Sequence, residues 1–177
     1  VEDYTKKVPV TLGELRLAGM DLLARREHGS SELKSKLTKR FRKRDCDPGI
    51  VEQVIKQLID EGLLSDERFA ASRARQLVSR GYGPSRIRND LRQQKVDQYL
   101  SDSMSEAFDD GLDWAAEAAS AYEKKYRGKP IEGDWDERQR ERARRLRFPQ
   151  YRGFGADISR RLVDADDVGE SPVADAL

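Results

Sequence analysis

The sequence predicts an all-α protein: an elongated, curved array of tandem three-helix repeats, with three units and about nine helices. Three observations predict it. One local pattern recurs: a glycine, a helix start, then an aliphatic pair at i and i+4. It occurs at Gly29 with Leu33 and Leu37, at Gly83 with Ile87 and Leu91, and at Gly155 with Ile158 and Leu162. The leading aliphatics are 54 residues apart (33 to 87) and then 71 (87 to 158), so the third unit carries an insertion. A recurrence of this length marks helical-repeat arrays. Second, charge alternates in blocks roughly in step with that recurrence. Third, charged residues make up 38% of the chain against 37% hydrophobic ones. A compact globule of 177 residues needs a larger apolar share, whereas a thin array with much surface does not.

The elements follow in order. Residues 1–10 are polar and read as a flexible start. The first repeat occupies 11–62. Thr11 caps a helix with Glu14 as capping-box partner, and Leu12, Leu15, Ala18, Leu22 and Leu23 mark its apolar face. Gly29 breaks it, and Ser30 or Ser31 restarts a helix holding Leu33, Leu37 and Phe41. The basic run 39–44 closes that helix. Asp47 and Pro48 then open the best helical period of the chain, Ile50, Val51, Val54, Ile55, Leu58 and Ile59, which Gly62 ends.

The second repeat spans 63–110. Ser65, Asp66 and Glu67 give a cap and an acidic first turn, with Phe69, Ala70, Ala74, Leu77 and Val78 inward. Gly81 and Gly83 form a turn, and Pro84 starts an arginine-rich helix with a narrow Ile87–Leu91 stripe. A third helix runs from 96 to 108, its face marked by Val96, Leu100, Met104 and Phe108, and Gly111 stops it. The third repeat, with its insertion, occupies 111–165. Trp114, Ala118, Tyr122 and Tyr126 line one helix, and a loop follows over 127–134. A helix over 135–147 carries alternating charges and little apolar content beyond Trp135, Ala143 and Leu146. A short helix follows Gly155. The acidic end, 166–177, reads as disordered.

The net charge of +1, taken as an average, argues against a nucleic-acid partner, but the average conceals the blocks. Residues 25–44 hold nine Lys and Arg against two Glu, a net of +7, and 45–67 come to −6. Residues 68–95 are +7, 96–123 are −8, 124–161 are +7 and the end is −5. Such segregation builds strong local potentials whatever the total.

No reaction is written in these residues. His28 is the one histidine and Cys46 the one cysteine, so no Cys/His metal cluster can form and no disulfide scaffold exists. Asp45 and Asp47 oppose the thiolate a reactive cysteine needs, and His28 reads as a cation at a helix C-terminus. No phosphate loop occurs, and the Gly81-Tyr82-Gly83 pair lacks a preceding strand. The expectation is a protein that is not an enzyme and has no cofactor and no metal. With no signal-peptide pattern and no membrane-length apolar run, it is expected to be soluble and cytoplasmic.

What remains is the basic ridge. Within 68–95, arginine outnumbers lysine seven to one, which suits bidentate pairing with phosphate or carboxylate. The candidate binding residues are Arg25, Arg26, Lys34 and Lys36 in the first repeat, and Arg73, Arg80, Tyr82, Arg86, Arg88 and Arg92 in the second. Arg152, Arg160 and Arg161 complete the set in the third. Tyr82, Tyr151 and Phe154 stand among them, either stacking on a partner or packing in the core. Lys34 follows Leu33 as Arg88 follows Ile87, but Ser159 follows Ile158. The bases are therefore shared by region, as in a broad electrostatic surface, and not position by position as in a base-reading code.

At these residues the chain resembles the RecX family of bacterial RecA regulators, in its proteobacterial branch. The carriers are LLARREHGSSELKSKL (22–37), the Gly62–Phe69 junction, SRGYGPSRIRNDLRQQKV (79–96) and Tyr151-Arg152-Gly153-Phe154. The Asp113-Trp114 helix with its KKYRGKP loop matches the branch. The likeness spans about 15 to 165 and departs from a simple repeat at the weakly apolar 135–148 helix. The resemblance implies a non-catalytic, monomeric protein of tandem three-helix repeats that binds the RecA–single-stranded DNA filament in its groove. It implies inhibition of ATP hydrolysis, strand exchange and co-protease activity. The alternative reading is a sequence-independent helical module acting on single-stranded DNA, or weakly on duplex DNA, directly. The acidic blocks separate the two, because they repel free DNA and suit a protein partner.

Overall fold

A computed structural model describes residues 8–108 and 111–167 of the chain. Of the expected flexible start (1–10) residues 1–7, and of the expected disordered end (166–177) residues 168–177, lie outside the described residues, as does the acidic pair at 109–110. The protein is all-α, with nine α-helices and no strand among the described residues. Contacts divide it into two compact units, Val1–Ala74 with Leu91–Ala107, and Arg75–Asp90 with Phe108–Leu177.

In the first unit, helices α1 (Leu12–Leu23), α2 (Ser30–Arg40) and α3 (Pro48–Asp60) pack on one another. Thr11 and Glu14 form the expected capping box, and Asp47 caps α3 ahead of Pro48. The predicted stripes meet: Leu15, Leu33, Leu37, Val54 and Leu58 are fully buried. Each such side chain contributes about 2 kcal/mol, against at most about 1 kcal/mol for an exposed ion pair. This core, not the surface charge, holds the unit.

Residues 8–10 are not frayed. Val10 is buried, its N–H donates to the Asp45 carbonyl at 2.8 Å, and Asp45 N–H donates to Val8 O at 3.1 Å. Arg44 ties this segment to α1, donating to Pro9 O at 2.7 Å and to Glu14 at 2.6 Å. Those contacts, led by the Arg44 bond, hold the Glu14 carboxyl down to about 2.

His28 is not a cation at a helix end. It lies buried between α1 and α2, with Nδ1 3.0 Å from the Arg26 carbonyl and Nε2 3.0 Å from Lys36 Nζ. A neutral ring satisfies both, with Nδ1–H donating to the carbonyl and Nε2 accepting from the ammonium. Burial is the main cause that lowers its pKa below the ordinary 6.5. The unfolded chain therefore binds more protons than the folded one in the window just below 6.5. Stability from this site is present above that value and falls as pH drops through the window. Being the one histidine, His28 gives an isolated imidazole signal in NMR. Its titration midpoint is expected below 6.5, and His28→Gln should remove that part of the acid-side loss.

Helix α4 (Asp66–Ser79) and helix α5 (Pro84–Gln93) are each divided between the two units. Ser65 Oγ accepts from Arg68 N–H at 3.2 Å and caps α4. Asp66 stands in the expected acidic first turn and also reaches the start of α2, accepting from Ser30 N–H at 2.6 Å and from Ser30 Oγ at 2.7 Å. The expected continuous helix from 96 to 108 is a 3-10 turn over Asp97–Tyr99 followed by α6 (Leu100–Ala107).

In the second unit, α7 (Trp114–Tyr126), α8 (Trp135–Arg152) and α9 (Ala156–Asp166) pack together around Tyr122, Ile131 and Val163. Helix α8 runs five residues beyond the expected 135–147, carrying Phe148, Pro149, Tyr151 and Arg152. Its low apolar content is offset by charge. Arg138 meets Asp167 at 2.5 Å, Arg142 meets Asp164 and Asp167 at 2.5 Å, and Arg145 meets Asp166 at 2.7 Å. Asp166 closes α9 and Asp167 caps it, so these two residues, expected in the acidic end, belong to the helix and its cap.

Candidate functional site

The ridge is built on the entrance to α5. Gly83 N–H donates to the Arg152 carbonyl at 2.8 Å, and Ser85 N–H donates to the Gly153 carbonyl at 3.1 Å. A Cβ at Gly83 would lie 2.6 Å from Gly153 O, and one at Gly153 would lie 2.5 Å from Arg86 N. The glycine patterns at 81–83 and 153–155, separate in the sequence, are two halves of one joint. Gly153 also sits at φ +93°, the left-handed cap of α8.

At this joint cations and rings alternate. The Arg86 guanidinium is 5.7 Å and that of Arg152 4.8 Å from the Tyr82 ring centre. Arg152 also lies 5.2 Å from the Phe148 ring, and Lys125 Nζ lies 4.5 Å from it on α7. Each such contact contributes about 0.5–1 kcal/mol where exposed, so the row holds its members in place rather than stabilising the fold. Arg152 further donates to the Arg80 carbonyl at 2.6 Å. It is half-buried and positions this surface; Phe154 is buried core, and Tyr151 is exposed.

A cleft of about 560 Å³ opens beside the row, lined by Arg80, Lys124, Lys125 and Arg152, with Glu117 as its one acid. Among the described residues, Arg80, Arg86, Arg88, Lys124 and Arg147 carry no ion pair. A concave wall with four cations and one carboxylate focuses positive potential.

The structure thus brings Arg80, Tyr82, Arg86 and Arg152 together, with Arg88 exposed further along α5. Arg160 is exposed on α9, and Arg161 pairs with Asp157 at 3.3 Å. The candidates of the first unit are largely met by their own acids. Arg26 reaches Glu32 at 2.5 Å, Lys36 reaches the same carboxylate at 3.0 Å, and Lys34 pairs with Glu52. Arg92 stands 3.9 Å from Asp97, Arg25 is exposed and Arg73 is half-buried. Sequence reasoning missed Lys124, Lys125, Arg147 and Phe148. For Arg147 and Phe148 the signal is the spacing 144, 147, 148, 151, 152, one face of a helix that continues past 147, whereas Lys124 and Lys125 lie on α7 outside that pattern.

Burial, then Asp47 and Asp45, raise the Cys46 pKa and keep its thiol protonated. Among the described residues no three His, Cys, Asp or Glu side chains gather as metal ligands, and no helix is long and apolar enough to cross a membrane.

Comparison with known proteins agrees with this architecture. A family model described as RecX, second three-helix domain, matches residues 65–103, the stretch of α4, α5 and the start of α6. The regulatory protein RecX of Pseudomonas fluorescens strain SBW25 is 36% identical over 162 residues, covering 90% of this chain and 96% of its own. The chain belongs to the RecX family. The RecX of Pseudomonas putida strain W619 is 37% identical over 161 residues, covering 88% of this chain and 93% of its own. A crystal structure of regulatory protein RecX superposes with a TM-score of 0.59 over 86% of this chain and 73% of that one, at 19% identity. At that identity the likeness is one of fold, and the fold is that of RecX.

Proposed function

We propose that this RecX family member is a negative regulator of RecA. It binds the groove of the RecA–single-stranded DNA filament as a monomer in the cytoplasm and inhibits ATP hydrolysis, strand exchange and co-protease activity. It acts without catalysis or cofactor, through three tandem repeats over 11–62, 63–110 and 111–165. The observation that carries the reading is the joint of the second unit, where Arg80, Arg86 and Arg88 stand unneutralised in a chain of net charge +1. These side chains are exposed and open to an outside partner.

Arginines of this kind pair with phosphates of the filament's DNA or with acidic side chains of its protein. The acidic block over 96–123 disfavours free DNA as the sole partner. The test is RecA's single-stranded-DNA-dependent ATPase, titrated with this protein. The expected result is a fall at well under one molecule per RecA. A fall only when the protein saturates the DNA would leave a salt-sensitive DNA binder acting on its own.

A further inference from the structure

Helix α8 sorts its charges by face. Arg138, Arg142 and Arg145 point to the acids of α9 and are paired there. Arg144, Arg147, Phe148 and Tyr151 lie on another face at i, i+3, i+4 and i+7. With Lys125 and Tyr126 of α7 they line a groove of about 490 Å³, apart from the cleft at Arg80 except where Lys125 and Phe148 border both. Tyr126 and Phe148 meet edge to face at 5.9 Å and form one wall. Tyr151 stands at the rim 72% exposed, without an ion or ring partner among the described residues. Arg147 is exposed and unpaired, and Arg144 is tied to Glu141 at 2.8 Å.

We propose that this groove holds one unstacked nucleobase of a single-stranded nucleic acid against Tyr151, with the flanking phosphates on Arg147 and Lys125. The chemistry of the lining favours this ligand over an acidic peptide. A carboxylate uses only the cations and leaves the exposed Tyr151 ring in water. A nucleotide uses both, since every base has a face to stack and every phosphate a charge to pair. Stacking of this kind is sequence-tolerant, because every base presents a face. The proposal deepens the filament reading and rests on it for its setting: the bases it takes are those of the filament's strand.

The test uses the full chain and two labelled oligomers of equal length, an oligothymidylate and an abasic sugar–phosphate strand, measured by fluorescence anisotropy. Wild type should bind the oligothymidylate more tightly. Tyr151→Ala should weaken that binding about five- to a hundredfold and leave the abasic strand unchanged, while Tyr151→Phe keeps the preference. Equal losses on both strands, or no loss on either, would overturn the proposal. So would Tyr151-dependent capture of an oligoglutamate peptide without any preference for bases. RecA ATPase is read in parallel. A Tyr151-dependent base preference in a protein that does not inhibit RecA supports the groove and removes only the regulatory reading.

Discussion

Arg145→Ala is expected to destabilise the second unit by about 3–5 kcal/mol, the range for removing one partner of a buried ion pair. Arg145 is 4% exposed. Its guanidinium donates to Glu141 at 2.8 Å, to Asp166 at 2.7 Å and to the Lys129 carbonyl at 2.6 Å, and it stacks 4.7 Å from the Tyr126 ring. Burial is the largest single influence and opposes its charge, but the bond to Glu141 and the other polar contacts around it together outweigh this and hold its pKa above the ordinary arginine value. Truncation takes this donor from Asp166 and from the Lys129 carbonyl and leaves Glu141 with Arg144. Thermal unfolding followed by circular dichroism should show a midpoint lowered by roughly 10 °C for a chain of this size. Arg144→Ala, one residue away on the exposed side, should move it by a degree or two. If the two variants unfold alike, the ion network is not what holds α8.

Gly153→Ala is expected to cost about 3 kcal/mol, by adding overpacking to left-handed strain. The new methyl would sit 2.5 Å from the Arg86 nitrogen and 2.7 Å from its Cβ, in a backbone that gives way only if the whole joint opens. Gly62→Ala is the matched control. It has the same kind of positive φ, +70°, but nothing within 4 Å of the added methyl, so strain of about 1 kcal/mol acts alone. Gly83→Ala tests the joint from the other side, at an ordinary φ, through the 2.6 Å approach to the Gly153 carbonyl. A Gly153 variant no less stable than the Gly62 variant would mean that the two glycine patterns do not depend on each other.

What could be read from the sequence divides along physical lines. The first unit was legible because its helices are held by side chains that announce themselves: Leu33 and Leu37, or Val51 through Leu58, recur at the helical period, and Thr11 with Glu14 caps by a known rule. Helix α8 was half legible. Its apolar period is weak because Arg145 and Arg142 do there what leucines do elsewhere. The pairing with Asp164, Asp166 and Asp167 is a tertiary fact about residues over twenty positions away. Ending that helix at 147 also separated Arg147 from Tyr151 and so concealed the groove. His28 looked like a cation because the sequence puts it at a helix C-terminus, and burial beside Lys36 makes the neutral ring the stable form. The ridge itself was legible as composition. Which of its members stay unneutralised was not, since Lys34 and Arg86 differ only in whether a carboxylate happens to stand opposite.

The measurement that bears most directly on the central claim compares Arg86→Glu combined with Arg88→Glu against wild type in the RecA ATPase titration, with unfolding midpoints recorded for both. Both side chains are exposed and without ion pairs among the described residues, so the midpoint should stay within a few degrees. The account predicts that inhibition is lost while the fold is kept. Undiminished inhibition by this variant would contradict it, because the unneutralised ridge would then have no part in gripping the filament.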